Sequence, residues 1–511
     1  MKPRTLISIA ALTFLPALVM LAEVAGQEQT GEAHQTKQRR YRLVDIGLGG
    51  PQSAVFEFFH TLTSRGALVG MAETSTPDPN YPNFTPFIGF GNPDPFIQRA
   101  FLWQNGELTD LGALINSSQA DAVNARGVIA GVSENGLIDP LTGLLAIHAV
   151  VWQTGQIIDL GTLGGGYESA ANDINNRGQI VGASQNAIPD PFGPVGGVQL
   201  RAFLWQNGAM QDLGTLGTGN DAIASFVNDR GQVAGWSYTN STPNPATGIP
   251  TQDPFLWQHG NMLDLGTLGG TVGGPNALNN RGQVVGVSNL TGDPGCPNFC
   301  QTHPFLWDRG VMMDLGTLGG NSGVAAWIND VGDVIGWANL PGDRLFHAFL
   351  WKDGVKIDLG TLKGGSTSVA HGLNSNRQVV GTSDSAGGFI RGFLWENGTM
   401  FDLNTLVSPA SNLNLFFPTI INDRGEIAGQ AQLPNGDVRA FLLIPCDGQH
   451  SDEKGCGDEG DASTAAIQNK PAPANQRPTS AMEAGMSARE IEARMRARFG
   501  PHRGLGAWEH K

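Results

Sequence analysis

The sequence predicts an all-β fold, an eight-bladed β-propeller of four-stranded antiparallel blades. Three observations predict it. An apolar "FLW"-type strand followed by a "DLG" strand recurs along the chain, with aspartates at Asp45, Asp110, Asp159, Asp212, Asp264, Asp314, Asp358 and Asp402. Their spacing runs from 44 residues (Asp358 to Asp402) to 65 (Asp45 to Asp110), a period that marks repeat architectures. The array opens on a lone "YRLVDIG" and ends on a lone "RAFLLIP", so each end lacks a partner that the other could supply.

The elements follow from local chemistry. In "AFLWQNGELTDLG" the strand Ala100–Trp103 meets Asn105-Gly106 and returns toward Leu111. Asn-Gly between two such runs favours a type I′ turn, because both residues tolerate positive φ. That turn puts Phe101 opposite Asp110, with Arg99 diagonal to Asp110 on the same face. A second hairpin, "DINNRGQIVGAS", turns at Asn175–Gly178. Sister turns are Asn124–Gly127, Asn228–Gly231, Asn279–Gly282, Asn329–Gly332 and Asn422–Gly425. In one copy Arg377 stands where the others have glycine, which predicts a strained or differently shaped turn.

Two hairpins per repeat make four strands, the content of a propeller blade. The "GTLGG" link is nearly constant and suits the crossing between blades, whereas the link before "AFLW" varies widely. This order places "SAANDIN" innermost, then "QIVGAS", "AFLW" and "IIDLG" outermost. Pairing Tyr41–Ile46 with Ala440–Ile444 would complete the last blade and remove two free edges.

Composition agrees. The 511 residues include 71 glycines, and 15% are charged, against roughly 25% in average globular chains. The formal charge of −15 argues against a nucleic-acid partner, which would want a basic stripe. Lys2 and Arg4 precede an apolar run interrupted by Pro16 and then small residues near Ala25 and Gly26. That order is a secretory signal, so the mature chain is expected to be secreted or periplasmic, without a membrane span. The expected domains are a signal peptide at 1–26, a flexible segment at 27–40 and the propeller at 41–445. A cysteine-bracketed acidic loop and disordered linker follow at 446–486, then an amphipathic basic helix at 487–500 and a tail at 501–511.

The motif "DLGTLGG…A…IN…GQVVG.S…HAFLW…G" resembles the HAF repeat of predicted extracellular bacterial proteins. The namesake tripeptide is His347-Ala348-Phe349, with variants Arg99-Ala100-Phe101, Arg201-Ala202-Phe203 and Arg439-Ala440-Phe441. The resemblance spans about residues 41–445. It implies an exported repeat protein and supplies no catalytic residues.

Within the repeat the aspartates read as turn and strand-end hydrogen bonders. Arg or His before "AF" reads as their structural partner rather than a metal ring, because guanidinium does not ligate metals. Trp103, Trp152, Trp205, Trp257, Trp307, Trp351 and Trp395 share one strand position and read as packing between blades. Cys296 with Cys300, and Cys446 with Cys456, lie in short segments of an exported chain and predict two local disulfides, a metal site being the alternative. The stretch Asp447–Asp461 lacks calcium-loop spacing. No cofactor or metal is expected.

The leading functional reading is a non-catalytic exported protein binding a glycan, peptide or surface protein. The insertions gather at one end of the strands, and Phe84, Phe87, Phe90, Phe96, Tyr238 and Phe299 are the candidate contacts there. The alternatives are an enzyme in the central channel, for example a glycan hydrolase or lyase, and a structural matrix component. For the enzyme the inner-strand candidates are Glu57, His60, Asp121, Asp173 and His371.

Overall fold

The computed structural model describes residues 40–446, except 57–59, 83–93, 141–142, 144, 191, 193–196, 246–247, 291–300 and 410. The described residues form an all-β array of four-stranded antiparallel units. Units 1–3 are Gly49–Ala54 to Glu107–Asp110, Ser118–Val123 to Gln156–Asp159, and Gly165–Ile174 to Ala209–Asp212. Units 4 and 5 are Ala222–Val227 to Asn261–Asp264 and Gly269–Leu278 to Val311–Asp314. These two join into one eight-stranded sheet through a single parallel bridge, Gln252 to Val272. Units 6 and 7 are Gly323–Ile328 to Val355–Asp358 and Ser368–Leu373 to Thr399–Asp402. The remaining sheet, unit 8, combines Asn414–Ile421, Ile427–Gln432 and Val438–Pro445 with Tyr41–Ile46 from the other end of the array.

Strand order within each unit is the expected one. In unit 3, Gly165–Ile174 pairs with Ile180–Asp190, which pairs with Gly197–Gln206 and then Ala209–Asp212. The hairpin register also agrees, with Phe101 opposite Asp110 and Phe203 opposite Asp212. Tyr41–Ile46 reproduces it across the chain ends, setting Asp45 opposite Phe441. Asn105 and Gly106 have φ of 53° and 86°, the signs a type I′ turn demands. Arg377 does not reshape its turn. It takes the left-handed angle itself (φ 60°), its N–H reaches Asn374 O at 3.2 Å, and its Nε binds Asp333 Oδ2 at 2.8 Å.

The core is repetitive. Phe101, Phe203, Phe255, Phe305, Phe349, Phe393 and Phe441 are fully buried, each contributing roughly 1.5–3 kcal/mol by leaving water. Opposite Phe203 stands Gly182, where an added Cβ would lie 1.9 Å from Ala170 O. The glycine of "VG" is therefore required by the close approach of the bulged inner strand. Trp103 packs on Val44, Leu442 and Ile444, and Trp152 on Val69 and Ala100 of the preceding unit, so the tryptophans fill seams between units.

Serines stitch the same seams. Ser169 Oγ accepts from Ala149 N–H of the preceding unit at 2.9 Å and donates to Gly161 O of the crossing link at 2.5 Å. Ser184 Oγ accepts from Leu163 N–H in that link at 2.9 Å. These bonds explain why "GTL", "VGxS" and "AF" travel together.

The diagonal pairing holds in five units: His148–Asp159, Arg201–Asp212, His303–Asp314, His347–Asp358 and Arg439–Asp45, at 2.8 to 3.1 Å. Three units depart from it. In unit 1 the expected Arg99–Asp110 pair does not form among the described residues, and Asp110 Oδ1 instead accepts from Gly112 N–H at 2.8 Å. Arg391 binds Asn414 Oδ1 at 2.6 Å, freeing Asp402 to cap the short 3-10 turn Leu403–Thr405. In unit 4, Asp253 faces Asp264 instead of a cation, and burial together with the Asp264 carboxylate pushes Asp253 up to about 7. No helix among the described residues is long and apolar enough to cross a membrane.

The segments 1–26, 447–486 and 487–500 lie outside the described residues, as do Cys296, Cys300 and Cys456. Cys446 follows the last strand, donates its N–H to Arg40 O at 2.8 Å and is not a free thiol.

Candidate binding site at the inner turns

Seven of the eight inner turns are opened by asparagine, and Thr63 takes that place in unit 1. In unit 3, Asn175 Oδ1 accepts from the N–H groups of Arg177 and Gln179, both at 3.0 Å, while Nδ2 donates to Asn228 O of the next unit at 2.9 Å. The link repeats from Asn124 to Asn175, Asn228 to Asn279, Asn279 to Asn329, Asn329 to Asn374 and Asn374 to Asn422, at 3.0 to 3.2 Å. Asn422 then donates to Thr63 O at 2.9 Å, and Val123 N–H to His60 O at 2.9 Å. A second tier lies beside it. Asp229 accepts two bonds from Asn176, Asp330 two from Asn280 and Asp423 two from Ser375.

These turns surround a cavity of about 320 Å3 lined from every unit. A larger depression, about 470 Å3 beside Asn412, Asn414 and Gly436, is open surface without convergent functional side chains. Inside the cavity His60 Nδ1 lies 2.8 Å from Asp173 Oδ1. The His60 ring meets Trp327 edge-on, with centroids 5.4 Å apart. Asp173 is buried, and backbone N–H groups of Ile174 and Val227 hold its two oxygens at 2.8 Å each. About the imidazole, desolvation works to lower the pKa. The charge and hydrogen bond of Asp173, aided by Asp229 and Asp330, outweigh it, so His60 stands above its ordinary value. Its side chain keeps 39% of its surface accessible, and Nε2 has no hydrogen-bond partner among the described residues.

His60 can therefore offer Nε2 to an anionic or carbonyl group or, when neutral, take a proton there. No hydroxyl or thiol nucleophile is bonded to it among the described residues, and the carboxylates of Asp229, Asp330 and Asp423 each accept two bonds from a neighbouring turn.

Of the channel candidates, His60 and Asp173 come together. His371 is buried against Phe417 (4.6 Å) and Thr382 Oγ1 (3.0 Å), and Asp121 is buried and bound by Gln119 Nε2. Glu57 lies outside the described residues. Trp327 was not among the candidates. Its signal was available, because its strand position varies between units (Ala122, Asp173, Phe226, Ala277, Trp327, Gly372, Ile420) while the flanking motif does not.

The contacts expected at the opposite end fare differently. Phe84, Phe87, Phe90 and Phe299 lie outside the described residues, and Phe96 opens a third strand, half-buried. Tyr238 corrects the expectation of an exposed loop aromatic. It ends the strand Val233–Tyr238 and is buried at 4% exposure against Trp236 and Leu200. The strands flanking the longest link run to Pro77 and resume at Phe96. At this end Asp221 is fully buried, and desolvation, then the Asp190 carboxyl, pushes it up to about 7. Among the described residues no group of three or more His, Cys, Asp or Glu is arranged to hold a metal ion.

No family model matches the sequence, and no curated protein matches it. Solved structures similar to the chain include the β-propeller domain of the trilobed protease from Pyrococcus furiosus. That similarity has 9% identity and a TM-score of 0.41, covering 69% of this chain and 98% of that one. A puromycin-hydrolyzing peptidase from Mycobacterium tuberculosis is similar at 12% identity and TM-score 0.40, over 77% of this chain and 62% of that one. An acylaminoacyl peptidase from Pyrococcus horikoshii is similar at 9% identity and TM-score 0.39, over 64% and 52%. The chain thus spans about half to three-fifths of the two peptidases, and nothing about activity follows from these likenesses.

Proposed function

We propose that the chain is an exported, closed eight-bladed propeller of the HAF-repeat type that binds a glycan, peptide or surface protein and catalyses no reaction. The closed reading is supported by the turn-to-turn bonds that run through all the units and return from Asn422 to Thr63. The signal-like N-terminus supports export, and local pairing of Cys446 with Cys456 and Cys296 with Cys300 belongs to the same reading.

One observation carries the binding role. The cavity mouth is preorganised by bonds between turns, and it leaves His60 Nε2 without a hydrogen-bond partner among the described residues, next to the Trp327 ring. An aromatic edge and one directed donor suit recognition. Hydrolysis of a glycosidic bond would need two carboxyl groups positioned on substrate, whereas Asp229 and Asp330 at the mouth each hold a neighbouring turn through two accepted bonds. The second reading places contacts at the insertion end, because the longest links concentrate there.

The mature chain probed against glycan and peptide arrays separates them. His60→Ala and Trp327→Ala are expected to weaken binding about tenfold or more with the parent's circular dichroism, Trp327→Ala also lowering the melting temperature because its ring packs on the core, while a Gly-Ser replacement of residues 83–93 leaves binding intact. Loss on the replacement and none in the two point variants would move the site to the insertion end. Turnover that depends on His60 would replace the binding reading with the enzyme.

A further inference from the structure

At the insertion end of the seam between units 1 and 2, three side-chain oxygens are buried without a hydrogen-bond partner: Asp78 Oδ2, Gln98 Oε1 and Glu134 Oε1. Their residues are 4%, 1% and 1% exposed. The atoms around them are engaged, and those bonds hold the three residues together. Asp78 donates its N–H to Pro95 O at 2.9 Å, and its Oδ1 accepts from Asn80 N–H at 2.8 Å. Asp94, equally buried, accepts from Phe96 N–H at 2.9 Å with Oδ1 and from Gln98 Nε2 at 2.7 Å with Oδ2. Because that carboxylate oxygen needs a donor, the Gln98 amide is oriented with its oxygen turned away from Asp94. Ser117 closes the group, its N–H donating to Glu134 Oε2 at 3.2 Å and its Oγ accepting from Gln98 N–H at 3.3 Å.

Hydrogen bonding within the protein leaves these oxygens unexplained. Arg99 is the cation whose charge reaches Glu134, yet none of the three oxygens is bonded to it. Buried acceptors of this kind call for a partner outside the chain.

We propose that Asp78 Oδ2, Gln98 Oε1 and Glu134 Oε1 are ligands for a hard divalent cation of the calcium class, bound in the seam between units 1 and 2. Carboxylate and amide oxygens, with no nitrogen or sulfur donor, form the calcium ligand set, and water would complete the coordination. The group is distinct from a cluster of acids alone, because one of its three ligands is a carboxamide. A cation here would clamp the residues bounding the segment from Asp78 to Asp94 onto the second strand of unit 2, fixing the base of the longest insertion.

The test is calorimetric titration of the full mature protein with calcium after EDTA treatment, together with thermal unfolding with and without the ion. Calcium is expected to bind and raise the melting temperature, and magnesium at the same concentration to do much less. Gln98→Met and Glu134→Gln should each weaken binding roughly tenfold or more, while Gln98→Glu, which retains an oxygen, should keep it. Absence of heat and of a melting shift in the natural chain overturns the proposal, and needs no variant to fold. So does equal binding by Gln98→Met, or equal response to magnesium.

Discussion

At the inner-turn end, Asn124, Asn175, Asn228, Asn279, Asn329, Asn374 and Asn422 each donate a hydrogen bond to the following unit. At the opposite end the second and third strands run nine to eleven residues in units 1–3 but only six to eight in units 4–8. The inner turns meet around a shared cavity, so a change in one displaces its neighbours. The outer links face no such closure and tolerate insertion. Regularity thus marks where units constrain one another, and irregularity marks where they do not.

The largest effect should come from breaking the join between the chain ends. Removal of residues 41–46 leaves the strand Val438–Pro445 with an open edge and strips Asp45 from Arg439. Size-exclusion chromatography and thermal melting should report aggregation or a loss exceeding about 4 kcal/mol. A monomer that melts like the parent would mean that the inner-turn bonds alone hold the ends together.

Asn228→Ala tests the inner-turn end by itself. It removes acceptors for Arg230 and Gln232 N–H, both at 3.0 Å, and the donor to Asn279 O at 3.0 Å, all in a buried side chain. Urea unfolding should show a loss of about 2–4 kcal/mol. A loss within about 0.5 kcal/mol, the range of ordinary surface changes, would remove the contrast between the two ends.

The smallest effect sharpens the comparison through charge. Burial, then the neighbouring Asp264 carboxylate, pushes Asp253 up to about 7 in the folded chain, so the folded state holds its proton more tightly than the unfolded one. The penalty for ionising it is absent below about pH 4, grows through the interval and is complete above about pH 7. Asp253→Asn should therefore match the parent in acid and exceed it by about 1–2 kcal/mol at pH 8, after allowance for partial exposure. Parallel stability curves from pH 4 to 8 would show that Asp264 does not oppose Asp253.

Local chemistry made much of the fold legible in advance. Asn105-Gly106 sets a two-residue turn, so the seven residues from Trp103 to Asp110 impose one register, and Phe101 must oppose Asp110. Arg377 was harder to read, because its left-handed angle is supported by Asp333 of the preceding unit rather than by its own neighbours. Tyr238 misled for a related reason. Its sequence surroundings are those of a link, but the strand continues to it and unit 3 covers it. The candidate site was only partly visible, since His60 and Asp173 could be named as inner-strand residues without any reason to join them.

The amino-acid sequence by itself determined the repeat, the two hairpins of each unit, the strand order and the pairing of the first strand with the last. Those features rest on turns and alternations whose partners lie within a few tens of residues, or on an end that has no other partner. Only the tertiary structure brought His60 to Asp173, 113 residues away, and to Trp327, and gathered Asp78, Gln98 and Glu134 with their unused oxygens. A repeat specifies each unit against its neighbour. Which side chains meet inside the cavity or in a seam depends on how the units sit together, and the positions involved are those where the repeat relaxes its own pattern.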